Sequence, residues 1–426
     1  MTDRFRTIWS TAAGRGFVML AVMQLAYGFA YSANNSTVTN FFEDALHFSG
    51  PQFGYMTAIR ELGGLLLIIL MALLYRVSIQ WLTAGAMLLL GVGLGLYGVA
   101  SDFVSVIPWV LVGSFGMHTI LQTQFSLGMS LTTQDKSGHV LGRMGAFNQA
   151  GTLIALVTVF LVFHFGLLDY EPFFIILGVI AVLGGIAILR FPHLHDGEER
   201  KVAPKREPLV WRKEYRYYYY LNLLDGVRQQ IFFSFGLWVM VHEFKLTVSQ
   251  ISLLLMTVTF IGILTSAYVG RLVDRLGERR VLQWINIGYV IALGGYALAP
   301  DVWLAMFFYI VYSFIAMFST MGASTYLRKI AVPQEVAPSL AMGVTLLHLT
   351  AIVVPVAAGF ILNYVGYQIP FFIACGAALI MVAVTHRLNP LAQRTAAKVA
   401  LDEERAAAKA APVATELTAL DVNSTL

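Results

Sequence analysis

The sequence predicts an all-α membrane protein, with twelve transmembrane helices in two pseudo-symmetric six-helix bundles. Three observations predict it. Of the 426 residues, 58% are hydrophobic and only 12% are charged, and the mean hydropathy is +0.71. A soluble domain carries about 25% charged residues, and a soluble core of this chain could not hide so many apolar side chains. The apolar residues also fall in continuous runs long enough for a helix, at about 1.5 Å per residue, to cross a bilayer. They do not alternate, as β-barrel strands would. Finally, one long polar stretch cuts these runs into two sets of six.

In chain order the spans are expected at residues 16–39, 51–75, 80–100, 104–130, 140–166, 172–191, 215–241, 249–270, 280–299, 302–327, 337–364 and 367–387. The first follows Arg4, Arg6 and Arg15 and contains Ala30-Tyr31-Ser32-Ala33, a weak cleavage-site match. The run is too long for a signal-peptide core, so it reads as a span. It carries Asn34 and Asn35. The second carries Arg60 and Glu61 within TAIRELGG. The fourth carries His118, Gln122 and Gln124, of which His118 and Gln122 share a helix face at spacing four. Residues 192–214, PHLHDGEERKVAPKREPLVWRKE, are charged and contain proline. They read as a cytoplasmic linker between an N-terminal bundle, 1–191, and a C-terminal bundle, 215–387. The seventh span holds LNLLDGVRQQIFF, with Asp225, Arg228, Gln229 and Gln230. The eleventh holds His348. The twelfth holds Cys375, the single cysteine, which excludes a disulfide within the chain. The tail, 388–426, is Ala-rich and charged and reads as a solvated helix or a disordered extension.

Charge sets the orientation. With the N-terminus inside, the cytoplasmic segments hold Arg76, Lys136, Arg143, Arg190, the run Arg200 to Arg216, Arg271, Arg275, Arg279, Arg280, Arg328 and Lys329. The outer loops hold Lys245 beside Glu43, Asp44, Asp102, Asp169, Glu171, Glu243 and Asp301. This asymmetry places both termini in the cytoplasm of a multi-pass cell-membrane protein. The formal charge of +4 is thus a topology signal, and no nucleic-acid partner is expected.

The halves resemble each other. Met144-Gly145 opens the fifth span and Met342-Gly343 the eleventh, and the same offset places Ala72 to Arg76 on Gly270 to Asp274. The segment after the eighth span, GRLVDRLGERR, is the most specific motif. Gly270 permits close backbone approach. Asp274 can pair with the surrounding arginines or accept from a neighbouring helix N-terminus, and an ordinary positive-inside loop is the plainer reading. This segment resembles the signature of the major facilitator superfamily, Gly-x-Leu-x-Asp-Arg-x-Gly-x-Arg-Arg, through Gly270, Leu272, Asp274, Arg275, Gly277, Arg279 and Arg280. The resemblance covers the whole membrane part. It implies a two-bundle transporter that works by alternating access as a monomer, with Asp274 and its arginines latching the cytoplasmic side. The equivalent loop after the second span, ALLYRVSIQW, has Arg76 where the acid belongs, so the latch is expected to be one-sided. The fourth span lacks the arginine and the fifth the proline found in the family's drug/proton antiporters.

Charges at mid-membrane are costly and usually face a cavity or one another. Asp225 and Arg228, three apart, can pair on one face. They are either a self-neutralising packing device or, with Gln229 and the space beside Gly226, part of a cavity wall. Arg60 and Glu61 are adjacent, point about 100° apart, and are expected to neutralise each other poorly. They form either an inter-helix gate or a substrate contact. Arg228 or Arg60 could hold a carboxylate or phosphate, and Asp225 or Glu61, or more weakly His118 or His348, could carry a coupling proton. The expected function is a secondary transporter of a small polar, anionic metabolite, coupled to protons. The alternative is an efflux transporter of lipophilic or cationic compounds, with Asp225 as the cation site. No Walker loop, HExxH or GxSxG motif is present, so neither an enzyme nor a cofactor or metal is expected.

Overall fold

The computed structural model describes residues 9–192, 211–276, 278–319 and 322–423, with the side chains at 68–69, 134, 266–276, 278–279, 282, 317–319, 322 and 407–423 left aside. The helices of the first half are α1 (Ala12–Asn40), α2 (Gly50–Leu73), α3 (Ile79–Gly95), α4 (Phe103–Ser130), α5 (Ser137–His164) and α6 (Tyr170–Leu189). Those of the second are α7 (Arg216–His242), α8 (Val248–Leu276), α9 (Glu278–Ala297), α10 (Val302–Ser319), α11 (Gly322–Ile330), α12 (Val336–Val365) and α13 (Gln368–His386), followed by α14 (Pro390–Asn423) in the tail. Their ends follow local chemistry. Asp102 caps α4 by accepting from the amides of Val104 and Ser105, both at 2.8 Å. Ser49 and Gln52 form a capping box ahead of Pro51 in the first turn of α2.

Among the described residues nine helices are long and apolar enough to cross a membrane: α1 to α6, the first part of α8, α12 and α13. The twelve expected spans are consistent with this, and α10 contributes the shorter apolar run Val302–Ala316. α7 misses on composition, not length: Asn222, Asp225, Arg228, Gln229 and Gln230 dilute its apolar residues. The polar groups that make it a candidate site are the ones that hide it as a span.

The two halves repeat one packing scheme. In the first, α1 packs on α5 and α6, α3 on α4 and α6, and α2 on α4. In the second, α7 packs on α12 and α13, α9 on α10 and α13, and α8 on α10. The halves meet mainly through α2 against α12 and α5 against α8. Glycine makes the first of these close. A Cβ at Gly54 would lie 2.3 Å from the Pro355 carbonyl oxygen, and one at Gly50 would lie 3.0 Å from that of Gly359.

One end of the molecule is drawn together across the halves. A π-turn, Phe41–Ala45, ends α1, and its Glu43 Oε1 lies 2.6 Å from His242 Nδ1 at the end of α7. Asn40 donates to the Leu246 carbonyl at 2.9 Å. Phe53 meets Phe235 and Trp238, and Trp238 stacks on His242 at 4.1 Å. At the other end the tail forms the expected helix, exposed along most of its described residues but anchored at a few points. Leu388 and Ala397 are buried in a small cluster with Tyr215, Tyr219, Tyr326, Leu327 and Met381. Tyr326 bonds Gln393, and Arg212 is bidentate to both Glu335 and Glu404. Ala397 of α14 has an apolar cluster to dock on, which the tail sequence could not announce.

Candidate substrate and coupling site

α2 presents its polar residues inward. Phe53, packed on α7, lies two turns before Arg60 on the same face, whereas Tyr55, Leu65 and Leu66 are exposed on the opposite side. The side chain of Arg60 is nonetheless 41% exposed, although its Nε is buried without a hydrogen-bond partner. Glu61 Oε1 lies 3.5 Å from Arg60 Nη2. Its Oε2 faces two imidazoles, His118 Nε2 of α4 at 3.9 Å and His348 Nδ1 of α12 at 4.0 Å. The two imidazoles come from opposite halves, with centroids 6.4 Å apart. The expectation that Arg60 and Glu61 would neutralise each other poorly is corrected in part. Long, flexible stems carry the two heads across the angle between their Cα positions, leaving one carboxylate oxygen for partners on other helices.

Ser114 sets the tautomer of His118. Its hydroxyl donates to the Arg60 carbonyl and therefore accepts from His118 Nδ1 at 3.1 Å, while the Ser114 carbonyl lies 3.0 Å from the same nitrogen. Nδ1 is thus the protonated nitrogen of the neutral ring. Nε2, the nitrogen toward Glu61, is the one free to take up a proton. Gly64 makes room for this. A Cβ there would sit 2.7 Å from His118 Nε2 and 3.0 Å from His348 Cε1. Neither Ser114 nor Gly64 stands out in the sequence, since small residues on membrane helices are common.

The α7 pair is built differently. Arg228 bonds Asp225, as the spacing predicts, and is only 2% exposed. Its Nη1 donates to the Tyr312 hydroxyl, its guanidinium carbon lies 3.5 Å from the Tyr289 ring centroid, and Phe232 stacks on Tyr312. The structure turns Arg228 into an aromatic box shared with α9 and α10, while Asp225, 26% exposed, and Gln229 remain half-buried. The space expected beside Gly226 is filled. A Cβ there would lie 2.1 Å from Thr350 Oγ1 of α12, so this glycine serves helix packing and not a cavity.

Of the remaining candidates, Asn34 and Asn35 are half-buried on α1, and Gln122, one turn beyond His118, is exposed. Gln124 belongs to a buried network that the sequence did not single out: Gln24 Nε2 donates to it at 2.8 Å, and Asn148 donates to Gln24 at 3.4 Å. Of the residues expected to form a latch, the side chains of Gly270, Asp274, Arg275, Gly277 and Arg279 lie outside the described residues, and Arg280 is exposed at the start of α9.

The sequence matches the profile described as Major Facilitator Superfamily twice, over residues 20–224 and 219–418. Among curated proteins no sequence match is found. Solved structures share the fold. A nucleoside transporter, NupG, in a mutant form superposes with a TM-score of 0.74 at 14% identity, covering 87% of this chain and 99% of its own. A bacterial homologue of the human lysosomal transporter Spinster, inward-facing and occupied, gives 0.67 at 12% identity, covering 87% and 95%. Likeness at these identities carries the fold and not the substrate.

Proposed function

Because this chain belongs to the major facilitator superfamily, and is a multi-pass membrane transporter rather than an enzyme, we propose that it carries a small polar anion together with a proton by alternating access. One observation carries the reading: Glu61 faces an imidazole from each half, beside a partly exposed arginine. A carboxylate held between halves that must separate is placed to sense protonation and report it as movement. In the empty state Glu61 neutralises Arg60. An anion entering the interior competes for that guanidinium. A proton on Glu61 or His118 Nε2 ends the competition, so proton and anion are best accommodated together. Substrate class therefore rests on Arg60, whose exposure suits it better than the enclosed Arg228.

The positive-inside pattern assigns the drawn-together end, with Glu43 and His242, to the outside, and α4 makes no substantial packing with α10 or α11 among the described residues. The conformation is then inward-facing, with both termini in the cytoplasm. The other reading, export of lipophilic or cationic compounds, is favoured by one observation: Asp225 is more exposed than the arginine that balances it.

The test is proteoliposomes holding a pH-sensitive dye, screened with pooled metabolites under an imposed pH gradient. Wild type is expected to show proton flux with an anionic pool. Arg60→Gln should raise the half-saturating substrate concentration by about tenfold or more, the worth of a charged hydrogen bond. Proton flux that ignores Glu61→Gln, or cation flux that requires Asp225, sinks the proposal.

A further inference from the structure

At the linker end of α7, Trp211, Arg212, Lys213, Arg216, Tyr219, Tyr220, Leu223 and Leu346 line a pocket of about 310 Å³ that the transport reading does not use. We propose that it holds the phosphate of an anionic phospholipid, with the acyl chains running along Leu223 and Leu346.

Four features point there. Arg212 is fully engaged by Glu335 and Glu404, but Lys213 and Arg216 are exposed, and among the described residues neither forms an ion pair. The first turn of α7 has no acidic residue and no side chain caps it, so its amide dipoles favour an anion there, with Glu214 just before the N-cap offsetting part of the field. Trp211 stacks flat on Tyr219 at 4.5 Å and is exposed, which is how indoles sit at a headgroup boundary. Below these, Tyr220 and Leu223 are exposed on the next turns of a membrane helix. Cation, aromatic and apolar surfaces follow one another along the helix in the order that headgroup, glycerol and acyl chain would require. A soluble anion would use only the first of them.

The location gives such a lipid leverage. Leu223 belongs to α7 and Leu346 to α12, so one ligand would touch both of these helices. Arg212 connects the pocket to the tail, through Glu404.

The experiment is native mass spectrometry of the full-length protein from micelles holding equal phosphatidylglycerol and phosphatidylcholine. Each Lys or Arg near anionic lipid is worth about fivefold in affinity, so two predict a preference of roughly 25-fold. Lys213→Gln with Arg216→Gln should bring retention to near parity, and each single variant should lose about fivefold. Both side chains are exposed, so melting temperatures should stay at the wild-type value; should the double variant not fold, the single variants give the reading. Equal retention of the two lipids by wild type, or an unchanged preference in the variants, overturns the proposal. Displacement of phosphatidylglycerol by millimolar inorganic phosphate also overturns it, assigning the pocket to a free anion.

Discussion

Two arginine–carboxylate pairs sit inside this membrane protein, and they have opposite fates. Asp225 and Arg228 are spaced for a bond along one helix face, and Arg228 is sealed between tyrosines. Arg60 and Glu61 are badly spaced, and their pair is looser at 3.5 Å. That poor fit is what leaves Arg60 partly exposed and one oxygen of Glu61 turned to His118 and His348. A charge pair satisfied within its own helix becomes structure. A pair that is poorly satisfied locally retains capacity for partners on other helices, and so for a substrate or a proton.

The largest expected effect tests the sealed pair. Arg228→Ala leaves an uncompensated carboxylate and an emptied aromatic box, and should cost about 3–5 kcal/mol, seen as a lowered melting temperature in detergent. Arg228→Met combined with Asp225→Asn should recover most of it. If Arg228→Ala instead melts like wild type and only transport is lost, the two pairs exchange roles. The next effect is on the open pair. Glu61→Gln should cut gradient-driven uptake by about 10²-fold, the range of a lost proton-transfer group. Gradient-free exchange of labelled substrate should continue, and stability should change by less than about 1 kcal/mol. Gly64→Ala comes third. Its methyl would press on both imidazoles, costing about 1–3 kcal/mol of stability and shifting the pH profile of uptake, whereas Gly64→Ala with an unchanged profile would detach His118 and His348 from coupling.

The smallest effect concerns a third arginine, outside the membrane. Arg212 holds the Glu404 carboxyl below its usual 4.5, through their hydrogen bond first and its charge second. A carboxyl with a lowered folded pKa contributes above its unfolded value and loses that contribution as pH falls through the folded one. The amide protection of residues 390–406 should therefore be greater in wild type than in Glu404→Gln at pH 7, and the difference should shrink as pH falls below 4.5 and disappear once pH has passed through the lowered folded value. A difference that persists in acid would mean that Ala397 and Gln393, not the ion pair, hold the tail.

Much of this was legible in the chain, for reasons that can be named. The bilayer follows from composition, because no soluble core accommodates this apolar content. The Asp225–Arg228 bond follows from helix geometry, which acts over one turn. The polar residues of the site were visible one by one, since each is expensive in lipid. Their grouping was not. His118, Glu61 and His348 belong to three helices far apart in sequence, and Gly226 looks like free space until Thr350 is placed beside it.

The sequence by itself determined that this is a helical membrane protein with a repeated half, and which residues in it are too polar to face lipid. Those are matters of local periodicity and of transfer from water to hydrocarbon, and they depend on no neighbour. Only the tertiary structure decided which charges are enclosed and which remain open, that two histidines from opposite halves share one carboxylate, and that the tail docks. Burial and pairing across helices are set by packing, and packing brings together residues that the chain keeps apart.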